Sequence, residues 1–475
     1  RSARRCIQLL EADDKRRWLR LLPLGLAAAA CEAVGTAGIF TLIQALSDPG
    51  GAPLMGAVEW GLGTENLMVK FAIFIAVFYC AKNLLLLCVS YMSFKTAGLA
   101  VDSLSSRLLA RYLAAPYAFF LKQNSATLVR NVQHSVVAAY RALLLSLVQA
   151  ASEGALMFAV LAVLLWTAPA VSLAAFMGGA ALVGLVLRLS YRMVTDQGKE
   201  VHLLHGQMQA HLQQSLAGVK EEKVLGREAA FVAGFSELRS RLSRLLWRQG
   251  TLESAPRLII ESFFVLSVVA VIVAFELTGR SANVVTVLGL FAYAGFRLLP
   301  GLHRVVAQVN LIRFAAFAID EIYDDMKSLQ PVAETDVVAT QLKDSLHITS
   351  LSFQYPDTSE PVLQDIELRI PKGSSLGIVG ATGAGKSTLI DLLLGLLEPT
   401  EGGVFADGRA ILEDPRAWRA AIGYVPQSIF LLDDTLQANV ALGLDGAAPK
   451  RLGWSAEQAQ LQDLIDKLPE GWNTR

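Results

Sequence analysis

Between residues 19 and 312, apolar side chains crowd into six stretches, Leu19–Leu46, Leu67–Phe94, Arg141–Thr167, Val171–Leu189, Arg257–Leu277 and Val284–Ile312. Each is long enough to cross a bilayer, which takes about 20 helical residues. The connections alternate in charge. Segments 47–65 and 168–170 hold no Lys or Arg and 278–283 holds only Arg280, whereas 95–140 and 190–256 are rich in both, with Arg239, Arg241, Arg244 and Arg248 clustered. Retained loops carry positive charge, so both ends are expected in the cytoplasm, with three short outer loops. The long inner connections keep helical periodicity, as at Leu104, Leu108 and Tyr112. They predict extensions of the membrane helices that reverse at polar breaks within 115–132 and 213–231, unless these are ordinary cytoplasmic hairpins.

Past residue 312 the pattern turns polar and acidic, with DEIYDD at 320–325. Short β-type runs then follow at 346–355, 361–370 and 374–380. The expected fold class is therefore multi-domain: an all-α six-helix membrane domain over 19–325, preceded by a cytoplasmic amphipathic segment at 1–18. A linker at 326–343 leads to an α/β nucleotide-binding domain from 344 onward. Composition agrees, with 53% hydrophobic and 18% charged residues and a mean hydropathy of +0.44. Forty-two basic and forty-two acidic side chains cancel, so nothing points to nucleic acid. Cys6, Cys31, Cys80 and Cys88 lack the paired spacing of a metal or disulfide framework and read as packing residues. The chain opens on RSARRC with no cleavable signal pattern, as a processed or missing start would leave it.

The strongest chemical signal is VGATGAGKSTLID at 379–391. Gly380, Ala381, Thr382, Gly383, Ala384, Gly385, Lys386, Ser387 and Thr388 complete the phosphate-binding loop pattern, with an apolar run before it and a helical run after it. Glycines let backbone N–H groups wrap phosphate oxygens, and the helix N-terminus adds its dipole. Lys386 is placed for the β- and γ-phosphates of ATP, and Ser387 for Mg²⁺. Tyr355 is either a purine-stacking aromatic or one packed on the sheet. Gln427 ends another apolar run, where it either reaches Mg²⁺ and an attacking water or is a surface glutamine.

Six apolar spans followed by Tyr355, GATGAGKST, PTEGGVFADG (399–408), YVPQ and LLDDTLQANV resemble an ATP-binding cassette exporter half-transporter. The resemblance implies that Tyr355 stacks on adenine, that Gln427 is the Q-loop glutamine acting in catalysis and at Mg²⁺, and that 115–127 and 213–226 couple cassette to membrane. It implies that 344–475 is the N-terminal part of a cassette. The signature motif, Walker B aspartate, general-base glutamate and switch histidine would follow Arg475, so the sequence reads as truncated. A second half-transporter, expected as an identical copy, would complete each nucleotide site.

Ionisable residues within spans are functional candidates. Counted at 1.5 Å per residue, Arg297 lies about 20 Å and Lys82 about 22 Å into a core about 30 Å thick, with Arg257 and Arg304 near its inner edge. The same count separates Glu32 from Lys82 by about 10 Å in depth and predicts no direct ion pair, whereas Arg257 and Glu261 are spaced to pair along one helix. The four cations read either as snorkelling anchors or as a basic girdle in an inward-opening cavity that takes an anionic headgroup. APRLIIES (255–262), YAGFRLLPGLHRVV (293–306) and LAGVKEEKVLGRE (216–228) resemble PglK-type flippases. That likeness implies a polyprenyl-diphosphate oligosaccharide as cargo, a bacterial inner membrane location, and a small outer element at 47–67. Export of drugs, other lipids or peptides remains an alternative, as does an ATP-binding regulator or channel that does not hydrolyse.

Overall fold

The computed structural model describes residues 2–47, 66–278, 284–330, 338–356, 358–444 and 449–475, with further gaps between 143 and 168. The expected outer element at 47–67 and most of the third apolar span therefore lie outside the described residues. The chain forms two compact units, Arg1–Thr335 and Asp336–Arg475.

The first unit is all helical. α1 (Ser2–Leu9) and α2 (Ala12–Ser47) precede α3 (Leu67–Ala114), which runs 48 residues without a break. Phe71, Ile75, Lys82, Val89, Ser93, Ala97, Ala100, Leu104, Leu108 and Tyr112 are its buried positions, steps of three, four and seven that hold one helix face. Its end is local chemistry: Pro116 disfavours helix at the preceding residue, and Ala115 is extended at ψ 147°. α4 (Tyr117–Lys122) makes the turn, and Asn124 caps α5 (Ser125–Arg130) by accepting from the Ala126 N–H at 2.9 Å. A π-helical segment, Asn131–Ser135, joins α5 to α6 (Val136–Tyr140).

α7 (Pro169–Ala217) is reversed by α8 (Val219–Leu225) into α9 (Glu228–Thr278), and α10 (Val284–Ser328) completes the unit. The α8 turn closes at Gly226, whose φ of 61° suits glycine. The helices thus continue past the apolar stretches into the polar connections, as the periodicity predicts, and α10 extends three residues into the expected linker. By length and composition, Leu67–Ala114 and Phe176–Ala217 are the helices among the described residues that suit a membrane crossing.

Beyond the apolar stretches, the helical extensions share a core. Leu104, Leu108 and Tyr112 of α3 meet Val136, Ala139 and Tyr140 of α6 and Ala315, Ile319, Ile322 and Met326 of α10. α1 packs on the same core through Cys6 and Leu9, and Arg5 pairs with Asp320 at 2.9 Å. Burial pushes the Cys6 thiol up to about 12, which keeps it an uncharged packing group. Cys80 and Cys88 differ from the sequence reading: both are exposed, on the face of α3 away from its buried stripe.

α7 and α10 approach closely at Gly198, where an added Cβ would overlap the Phe314 backbone. Gly198→Val is expected to destabilise the unit by about 1–3 kcal/mol. A melt of the complete protein followed by tryptophan fluorescence checks this against Gly184→Ala on the same helix, where a Cβ meets open space.

In the second unit, β1 (Ser345–Phe353), β2 (Leu363–Pro371), β3 (Glu401–Ala406) and β4 (Arg409–Ala410) form an antiparallel sheet of order β2-β1-β3-β4. Leu346, Ile348, Leu351 and Phe353 are its buried apolar row on β1. The expected strand at 374–380 is a correction: the run makes no ladder among the described residues, and Val379 is 94% exposed. A strand exists only where a neighbour accepts and donates its hydrogen bonds.

Candidate functional site

The phosphate-loop sequence folds around two glycines with left-handed backbone, Gly383 at φ 87° and Gly385 at φ 81°. At Gly385 a Cβ would also press on Leu363 Cδ2 at 2.9 Å and Val362 Cγ1 at 3.0 Å, so β2 packs directly behind the loop. Gly385 caps α11 (Lys386–Leu393) without a side chain. The first-turn N–H groups of α11 therefore remain available, and the helix dipole is directed at the loop. Lys386 Nζ curls back and donates to the carbonyls of Gly380 at 2.9 Å and Ala381 at 2.8 Å. Its ammonium lies over the same loop whose amides suit phosphate oxygens. Ala381, Thr382, Gly383, Ala384 and Ser387 are exposed, so the loop is open to a ligand.

Thr388 is buried, and its Oγ1 shares a hydrogen bond with Tyr355 Oη at 3.1 Å. The structure thus brings Tyr355 to the loop helix, and both of its sequence readings have a physical footing: its ring also meets Phe353 edge-on at 4.9 Å. The Thr388–Tyr355 bond was not legible, because the residues lie 33 positions apart. Gln427 is exposed in a bend and makes no hydrogen bond to the loop among the described residues.

In the first unit the four candidate cations meet different surroundings. Lys82 is 6% exposed, and its Nζ lies 3.9 Å from Glu32 Oε1 and 4.3 Å from the centre of the Tyr79 ring. This corrects the depth count, which predicted no direct pair. Helix register decides: α2 and α3 run antiparallel, with Gly38 beside Ile75 and Gly35 beside Phe78 and Tyr79, so the next turn sets Glu32 opposite Lys82. The count treated Leu19 and Leu67 as fixed entry points, which packing does not respect. Arg257 pairs with Glu261 at 3.3 Å, as its spacing predicts. Arg304 pairs with Glu153, Nε to Oε1 at 2.6 Å and Nη2 to Oε2 at 3.0 Å. Arg297 lies on α10, but its side chain is outside the described residues.

Glu153 was missed by the sequence reading, although an acid inside an apolar span is the same kind of signal as the cations. A second omission is the polar cluster in the cytoplasmic extensions. Arg130 Nη2 donates to Glu321 Oε1 at 2.8 Å and Oε2 at 2.9 Å, and Nη1 donates to the His202 carbonyl at 3.1 Å. His202 Nε2 contacts the same carboxylate. Asn131, at the start of the π segment, donates to Glu321, Asp325 and Tyr112 Oη, and Tyr112 Oη donates to Asp325. Gly206 of α7 makes room, since a Cβ there would lie 2.7 Å from Arg130 Nη1. Burial alone would raise the Glu321 pKa, but hydrogen bonding from His202 and the Arg130 charge hold it below the usual carboxylate value. Asp325 is pushed up, chiefly by burial and against its Tyr112 hydrogen bond.

Two family patterns match the chain: residues 363–473 fit the ABC transporter family and residues 25–297 the ABC transporter transmembrane region. The chain belongs to the ABC transporter family. It is an integral, multi-pass membrane protein with a separate α/β nucleotide-binding fold, and use of ATP with Mg²⁺ is typical of that family. This ABC transporter is 26% identical over 396 residues to the ATP-dependent lipid A-core flippase of Photorhabdus laumondii, covering 82% of this chain and 66% of that one. To the flippase of the same name from Salmonella typhimurium it is 24% identical over 393 residues, covering 82% and 66%. To the uncharacterized ABC transporter ATP-binding protein YfiC of Bacillus subtilis it is 24% identical over 423 residues, covering 86% and 68%. The chain thus spans about two-thirds of the length of these curated relatives. In fold it is similar to a solved bacterial Atm1-family ABC exporter with ATP bound, at TM-score 0.79 and 21% identity, over 97% of this chain and 79% of that one.

Proposed function

We propose that the complete protein is an ATP-driven exporter that moves an amphipathic, anionic lipid-linked substrate from the cytoplasmic leaflet, of the polyprenyl-diphosphate oligosaccharide class. Two copies act together, with Lys386 and the amides of 380–388 holding ATP, Ser387 and Gln427 serving Mg²⁺ and the attacking water, and Tyr355 against the base. The substrate cations are Lys82, Arg257, Arg297 and Arg304. The observation that carries the reading is Arg304: its side chain stays 48% exposed although its partner Glu153 is only 16% exposed, so the cation keeps a side open to an anionic headgroup. Planar guanidinium forks suit phosphate groups. Two relatives described as lipid A-core flippases support a lipid cargo.

A second reading, export of an uncharged amphipathic drug or peptide, is favoured by the pairing of Lys82, Arg257 and Arg304 with Glu32, Glu261 and Glu153. Reconstituted complete protein separates the two. A labelled polyprenyl-diphosphate glycan is expected to be flipped and to stimulate ATP hydrolysis, and Ala at Lys82, Arg297 and Arg304 together to abolish the stimulation. Stimulation that survives the triple substitution, or that neutral amphiphiles reproduce, rejects the anionic-lipid reading.

A further inference from the structure

Glu153 and Arg304 meet as a two-bond fork, Nε to Oε1 at 2.6 Å and Nη2 to Oε2 at 3.0 Å. That is the geometry in which arginine also grips a phosphate. The seat for the carboxylate is built. Gly301, one turn before Arg304, leaves space that a Cβ would narrow to 3.2 Å from Glu153 Oε2, and Glu153 is 16% exposed against 48% for Arg304. An acid and a base within apolar spans on separate helices are costly unless they line a watered passage or pair with each other, and this pair does the second while its cation keeps an open side.

The contacts do not end there. One turn further along α10, Gln308 Nε2 donates to Gln149 Oε1 and Ser146 Oγ donates to Gln308 Oε1, each at 2.5 Å. Ser146, Gln149 and Glu153 thus form one polar row, facing Arg304 and Gln308 on the other helix. The neutral part of this seam can hold the helices in register while the charged part changes partner.

We propose that Glu153 is a resident stand-in for the cargo's diphosphate. It occupies the Arg304 fork when the site is empty of cargo, and the incoming diphosphate group of the cargo displaces it, so that cargo binding severs the charged link between the third span and α10. No covalent bond changes; one ion pair exchanges for another. The inference rests on the anionic-lipid reading of the site and adds a specificity-determining residue to it, since a neutral amphiphile has nothing with which to outcompete the carboxylate.

The test measures ATP hydrolysis by the complete protein in vesicles against the concentration of polyprenyl diphosphate. Glu153→Gln keeps a hydrogen-bond acceptor but removes the competing charge. It is expected to lower the half-stimulating concentration about threefold to tenfold, the scale of one interhelical polar contact in a membrane. Glu153→Asp, whose shorter arm reaches the fork poorly, is expected to shift it the same way by less, and serves if the Gln variant does not fold. On an Arg304→Ala background neither substitution is expected to shift it further. Inorganic pyrophosphate is expected to compete weakly; competition as strong as the lipid's would make the ligand a soluble anion and overturn the lipid part of the proposal. Unchanged or raised half-stimulating concentrations in both Glu153 variants, with Arg304→Ala raising it, overturn the displacement and leave the cargo reading standing. An Arg304→Ala protein that responds like the native one removes the cargo reading at this residue and the displacement with it.

Discussion

Replacing Lys386 with alanine in the complete protein is expected to reduce ATP hydrolysis by at least about 100-fold, the scale of removing one preorganised charge from a developing anionic transition state. The ammonium is tethered at 2.9 and 2.8 Å to the carbonyls of Gly380 and Ala381. It is thus held over the loop without being fixed by a salt bridge among the described residues. The fold should survive, because the residue is part-exposed and the helix start depends on Gly385 rather than on Lys386. A steady-state phosphate-release assay with a melt as control checks both halves. Native turnover in a well-folded variant would remove Lys386 from the site.

Arg130→Ala is expected to cost the helical unit about 3–5 kcal/mol, because it strands a mostly buried Glu321 carboxylate without its main cation. Arg130 is 5% exposed and bonds to Glu321, Asn131 and the His202 carbonyl, so it joins α5, the π segment, α7 and α10. The pH dependence carries the sign. In the native protein Glu321 titrates below its ordinary value, so it contributes stability that is present above the unfolded carboxylate pKa of about 4.3 and is lost as pH falls through the lower folded value. Asp325 runs the other way: its raised value subtracts stability as pH rises through the carboxylate range. Without Arg130, burial at Glu321 is opposed only by the His202 and Asn131 contacts, so its folded pKa moves up from the native one. The variant's deficit relative to the native protein should therefore narrow as pH falls from about 8 toward the carboxylate range, because protonation removes the stranded charge. Tryptophan-fluorescence melts of the complete protein across that range measure it, and a variant equally weak at both ends would contradict a buried-charge origin.

The conformation of the glycine-rich loop was legible because its information is contiguous: Gly383 and Gly385 supply left-handed turns, and the helix starts at the next residue. The helical extensions were legible for a similar reason, since Leu104, Leu108 and Tyr112 repeat every four residues along a helix that meets no proline until Pro116. The run at 374–380 was not, because apolar β-type residues announce a strand but cannot supply the neighbour that completes its ladder. Ion pairing was the least legible. Glu153 and Arg304 lie 151 positions apart, and Arg130 and Glu321 lie 191 apart.

By itself, the sequence determined the membrane-then-cassette order, the helix ends at Pro116 and Gly226, and the turn of the glycine-rich loop. Periodicity, caps and glycine conformations are each written within a few adjacent residues. Only the tertiary structure decided which charges meet. The register of α2 on α3, set by Gly35 and Gly38, brought Glu32 to Lys82, and the approach at Gly301 brought Glu153 to Arg304. Such pairings depend on where two helix surfaces come closest, and a slide of one helical turn, about 5.4 Å, would undo them while leaving every local pattern in the sequence unchanged.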